Sequence, residues 1–97
     1  NYPPRTIQFR LKNSGNLAIR NISLKGDCNG EEWIEFNKTF LNRINPDSTE
    51  PIIFIIEVPS SAQSGISFCT VTASYDNPRR IEPLTLEESF TFNLNLN

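Results

Sequence analysis

The chain has no histidine and no methionine, only two cysteines and a single tryptophan in 97 residues. Without histidine, the usual Cys–His and Ser–His–Asp pairs cannot be assembled, so no nucleophile has its ordinary base. Two cysteines without histidine also cannot fill the four positions of a common zinc site. Long apolar runs are missing as well. The longest, Ile52 to Ile56, is far short of the roughly 20 residues of a membrane helix, so no direct membrane insertion is expected. Basic clusters are scarce: nine Lys and Arg stand against eleven Asp and Glu, and Arg79-Arg80 is the one tight basic pair. Counterion release from nucleic acid needs clustered cations, so no nucleic-acid partner is expected. The chain opens at Asn1 rather than Met, with no charged-then-apolar leader, and reads as a processed or excised segment, which leaves secretion open.

What is present favours strands. Phenylalanine and isoleucine are plentiful, alanine is scarce, and seven prolines punctuate the chain. Thr6 to Lys12 alternates, with Ile7, Phe9 and Leu11 on one face and Gln8, Arg10 and Lys12 on the other, the period of a half-buried strand. Asn13-Ser14-Gly15-Asn16 reads as a turn. A second strand is predicted over Leu17–Lys25, with Leu17 and Ile19 on one face before Ile22 and Leu24, a slip that predicts a bulge at Arg20-Asn21. Gly26–Gly30 reads as a loop carrying Cys28, and Glu32–Phe36 as a short strand containing Trp33. Phe40, Leu41 and Ile44 are expected core contacts, and Asn45-Pro46-Asp47-Ser48 is a turn. Pro51–Val58 is apolar on both faces, as suits a central strand covered on both sides or one whose outer face meets a partner.

Ile66–Tyr75 reads as a strand with Cys69, Val71, Ala73 and Tyr75 inward. Asp76–Ser89 is expected to be a long polar loop, after which Phe90, Phe92, Leu94 and Leu96 alternate to close the chain. No segment carries a helical apolar period. Six or seven short strands with turns about every ten residues indicate an all-β fold, an immunoglobulin-like antiparallel sandwich. Residues 1–97 form a single domain on this reading, with 1–5 as a linker or edge segment.

The order of these signals is similar to a known class. Asn13-Ser14-Gly15-Asn16 between two strands, Trp33, Leu41 with Asn45-Pro46-Asp47-Ser48, a β-rich run ending Val58-Pro59, and Ser60–Gly65 before another strand resemble immunoglobulin-like repeats of archaeal and bacterial surface proteins. Those include the cell-adhesion-related CARDB domains, S-layer-associated repeats and NPCBM-associated domains. Ser74-Tyr75-Asp76-Asn77 leading to Phe90–Leu96 looks like their last hairpin, although Pro78-Arg79-Arg80 stands where a glycine is usual. The resemblance implies an extracellular spacer or adhesive module in tandem with neighbouring domains.

On that fold, the strand before Cys28 lies antiparallel beside the strand from Ile66, placing Cys28 within reach of Cys69 for a disulfide; the alternative is two unbridged thiols. A bridge would place the protein in an oxidising compartment, where the sequons at Asn21 (Asn-Ile-Ser) and Asn37 (Asn-Lys-Thr) could carry glycans. Asp27, Asn29, Glu31 and Glu32 gather oxygen donors suited to calcium, though polar turns commonly have the same composition. Glu31, Glu32 and Glu35 are the carboxylates a glycosidase would need, but glutamates on a short edge strand are usually a solvated face. No enzyme activity and no cofactor are expected.

Trp33 and Phe68 are candidates for stacking on sugars, Trp33 having a core role as the simpler reading. Ile53, Ile55, Ile66 and Phe68 are expected to form an apolar outer face for protein contact. Three functions follow: a structural or adhesive surface module contacting neighbouring domains or subunits, a filament subunit joined by strand exchange, or an accessory carbohydrate-binding module for surface glycans. Strand exchange draws on residues 1–5, which make no first strand and so leave an edge open.

Overall fold

The computed structural model of the protein describes residues 2–96, which form seven strands and no helix. These are β1 (Arg5–Lys12), β2 (Ile19–Cys28), β3 (Ile34–Phe36), β4 (Phe40–Ile44), β5 (Thr49–Ile56), β6 (Gly65–Asp76) and β7 (Thr85–Leu96). They pair antiparallel in two sheets, a three-stranded sheet in the order β1-β5-β3 and a four-stranded sheet in the order β4-β2-β6-β7. The sheets face each other as a sandwich. The connectivity places the first strand beside the fifth and the second beside the sixth.

Each strand contributes its apolar alternation to the space between the sheets. β5 sends Ile52, Phe54 and Ile56 inward, β6 sends Cys69, Val71 and Ala73, and β7 ends with Leu94 and Leu96 buried. Phe54 is the centre, its ring 5.7 Å from Phe9, 5.7 Å from Phe36 and 5.9 Å from Phe92. Side chains of this size supply most of the burial in a small sandwich, and their tilted and edge-on contacts add to it.

The structure redraws several boundaries. β2 continues through Gly26 and Asp27 to Cys28, where a loop was expected. Gly26 is a close-approach position rather than a break: a Cβ there would lie 3.0 Å from Ile34 Cδ1 and 3.3 Å from Phe36 Cζ. β3 is thereby packed directly on the backbone of β2. The expected slip is present, with Arg20 and Asn21 both exposed between Ile19 and Ile22, and Asn21 adopts φ 54°. β4 slips with it, since Asn42 and Arg43 are both exposed between Leu41 and Ile44, and the β2–β4 register is the same on either side. Both strands turn over together, with no extra residue on one of them.

Phe40 is half exposed rather than in the core, because it lies one step out of phase with Leu41. Leu17 likewise precedes the strand and stays exposed. The expected long loop at Asp76–Ser89 shortens to 77–84, as β6 and β7 pair over their full twelve residues. Asn77 organises it: Nδ2 donates to the Ile81 and Pro83 carbonyls, and Oδ1 accepts from the Arg79 amide. In the opening segment, Arg5 already belongs to β1, and the Tyr2 hydroxyl donates to the Ala62 carbonyl at 2.9 Å.

Candidate functional site

Cys28 and Cys69 sit directly opposite each other on β2 and β6, their Cα atoms 4.0 Å apart, and form a disulfide with both side chains fully buried. The bridge joins neighbours in one sheet, not the two sheets. Two hydrogen bonds frame it: Asn29 N–H donates to the Phe68 carbonyl, and Phe68 N–H donates to Asn29 Oδ1. Asn29 is therefore committed to the end of β6. Its φ of 52° turns the chain back so that Cys28 and Glu31 exchange both backbone bonds.

The bond from Phe68 N–H engages one of the two lone pairs of Asn29 Oδ1, an oxygen of the calcium set. Asp27, Glu31 and Glu32 are exposed, and no group of three or more His, Cys, Asp or Glu among the described residues is placed to hold a metal ion. Within this cluster, Asn29 closes the end of the β2–β6 ladder. Of the three glutamates weighed for glycosidic chemistry, Glu32 and Glu35 flank Trp33 along an open groove over Gly26, with Glu57 beside them, while Glu31 lies outside it. Trp33 precedes β3 rather than lying within it. It packs half-buried against the core cluster of Cys28, Phe54 and Ile56.

The four residues expected to form one apolar face are divided between two. Ile53 and Ile55 alternate with buried Ile52, Phe54 and Ile56 and point outward from the three-stranded sheet. Ile66 and Phe68 alternate with buried Ser67 and Cys69 and point outward from the four-stranded sheet, on the opposite side of the sandwich. Ile53 and Ile55 keep 38% and 36% exposure between Gln8, Thr6 and Glu35 on the flanking strands. Ile66 and Phe68 are more exposed, at 61% and 58%, and their partners across β7 are Asn95 and Asn93. An exposed ring bordered by amides is the simplest platform on which a sugar ring can stack and be hydrogen-bonded.

The two sequons differ in their surroundings. Asn21 donates from Nδ2 to Asp76 Oδ2 at 2.7 Å, which engages the nitrogen that would carry a glycan. Asn37 lies in the exposed turn between β3 and β4, with Oδ1 accepting from the Ile53 amide.

Two features were not singled out from the sequence. Asn13, buried at 5% exposure, donates to the Leu17 and Ile44 carbonyls at 2.8 and 3.0 Å and accepts from Gly15 N–H. Its backbone bonds Ser48 and Asp47, so this one residue ties the β1–β2 turn to the β4–β5 turn. The Asn-x-Gly spacing is the signal that could have revealed it, as an Asx turn. The second is the side of the sandwich between β1 and β7, where Phe9, Leu11, Leu24, Val71, Ala73 and Phe90 line an apolar groove. Burial pushes the Tyr75 hydroxyl above its ordinary value of 10.0, and the carboxylate of Glu88, which borders this groove, adds to the shift. Comparison with known protein families, curated proteins and solved structures gave no match to this chain.

Proposed function

We propose that the chain is a non-catalytic, extracellular structural or adhesive module, a unit that spaces or joins neighbouring domains. The observation that carries this reading is that β7 completes its own sandwich. It pairs with β6 along its whole length and buries Leu94 and Leu96 in its own core. The resemblance to surface-protein repeats and the absence of histidine agree with a structural task. The Cys28–Cys69 disulfide is consistent with an oxidising compartment, and on the proposed reading that compartment is the cell exterior.

A second reading has one specific observation in its favour. Phe68, exposed and bordered by Asn93 and Asn95, would make the domain an accessory carbohydrate-binding module.

Light scattering of the full chain beside a version ending at Glu88, together with a glycan array, tests these readings. The module reading expects the full chain to fold, the shortened one to be unfolded, and no glycan to be retained. Glycan binding that disappears in Phe68→Ala would replace it with the carbohydrate-binding reading. An open-ended ladder of oligomers that collapses on truncation would replace it with a filament built by strand exchange.

A further inference from the structure

β1 and β7 are both edge strands, one from each sheet, and they border the same side of the sandwich. No backbone pairing joins them among the described residues. Two contacts fix their relative height. The Arg5 guanidinium donates to the Asn95 carbonyl at 3.2 Å, and the Phe9 and Phe90 rings meet edge-on with centroids 5.4 Å apart. Arg5 precedes Phe9 while Asn95 follows Phe90, so the two strands run in opposite directions. The groove between them has an apolar floor. Phe90 faces inward in phase with Phe92, Leu94 and Leu96, yet keeps 42% exposure, because among the described residues the three-stranded sheet ends at β1 and lays no further strand over it. Free edges beside an uncovered apolar floor invite another strand.

We propose that this side is a self-association surface, on which a second copy of the chain pairs its β7 with the free edge of β1 and its β1 with the free edge of β7. Geometry selects a second copy as the occupant. A two-fold rotation about an axis parallel to the strands exchanges the layers and keeps every height. It brings β1 of one copy antiparallel to β7 of the other, and makes the reciprocal pair in the same operation, a closed isologous contact. Each three-stranded sheet then continues into the four-stranded sheet of the other copy, and all four edges on that side are paired.

The register and the charges agree with this arrangement. The height shared by Phe9 and Phe90 sets Phe9 of one copy opposite Phe90 of the second, so inward side chains meet inward ones along the seam. The same register sets Lys12 opposite Glu87 on the outward face, with Arg10 at the diagonal position, where opposite charges attract. Both Lys12 and Glu87 are exposed in the single chain. Pairing β1 with β1 would instead gather Arg5, Arg10 and Lys12, and pairing β7 with β7 would gather Glu87 and Glu88, so only the β1–β7 seam is complementary. The inference goes beyond the module reading, which a monomer also satisfies.

Sedimentation equilibrium of the full chain at low salt, over a wide concentration range, tests it. The expected result is an association that stops at two. Lys12→Glu and Glu87→Lys, each checked for the wild-type circular dichroism spectrum, should each weaken it by roughly tenfold or more, as two seams change sign together. Mixing the two variants should restore dimerisation, because each seam of the mixed dimer again opposes one acid to one base. A monomer at every concentration would overturn the inference while leaving the module reading in place. A dimer indifferent to both substitutions, or a mixture that stays monomeric, would also overturn it. An open ladder would overturn both readings.

Discussion

Removing the disulfide is the perturbation whose size follows most directly from the structure. Cys28 and Cys69 are 41 positions apart, and both are fully buried on adjacent central strands. Closing a loop of that length removes enough entropy from the unfolded chain to stabilise the fold by about 4 kcal/mol. A domain of this size has a total stability of roughly 5–15 kcal/mol, so the bridge is a large fraction of it. In the Cys28→Ala, Cys69→Ala double variant, the melting temperature should fall by about 15–30 °C, at about 4–8 °C per kcal/mol.

Thermal and urea denaturation of the oxidised wild type and the double variant would measure the difference. The urea dependence should steepen in the variant, since an uncrosslinked unfolded chain exposes more surface. A loss below about 1 kcal/mol would refute the reasoning, because the loop-closure term alone exceeds that value several times over. In the native protein the sulfurs are out of contact with solvent, so reductant should act slowly until the fold opens.

Three further outcomes are expected. Phe54→Ala empties the centre of four packed rings and should cost about 3–5 kcal/mol in urea unfolding. Asn13→Ala removes three side-chain hydrogen bonds and strands the buried Ile44 carbonyl, a loss of about 2–4 kcal/mol by the same measurement. Tyr75 has a folded-state pKa raised above the ordinary value of 10.0. Its contribution is therefore complete below 10.0 and is lost as pH rises from there through the folded value. The urea midpoint should fall across that window in the wild type, and Tyr75→Phe should lose less.

Period-two alternation was enough to place most strands, because a half-buried strand must put its apolar residues on one face. Thr6–Lys12, Ile66–Tyr75 and Phe90–Leu96 all lie within observed strands for that reason. Local signals failed where the deciding contact came from another strand. Gly26 reads as a loop residue by itself, but β3 needs its missing Cβ to approach β2. Thr85–Ser89 has no apolar alternation, and it extends β7 because a long β6 stands ready to pair with it, Ser89 lying opposite Thr72 and Glu87 opposite Ser74.

The chain's composition and periodicity thus determined an all-β, histidine-free sandwich with Cys69 on an inward face. These are properties of single residues and of their nearest neighbours along the strand. Only the tertiary structure decided which strands are neighbours. That choice put Cys28 opposite Cys69 within one sheet, sent Ile53 and Ile55 to one side of the molecule and Ile66 and Phe68 to the other, and left Phe90 uncovered beside two open edges. Alternation says that a residue leaves the core, but the pairing of sheets says which surface it joins.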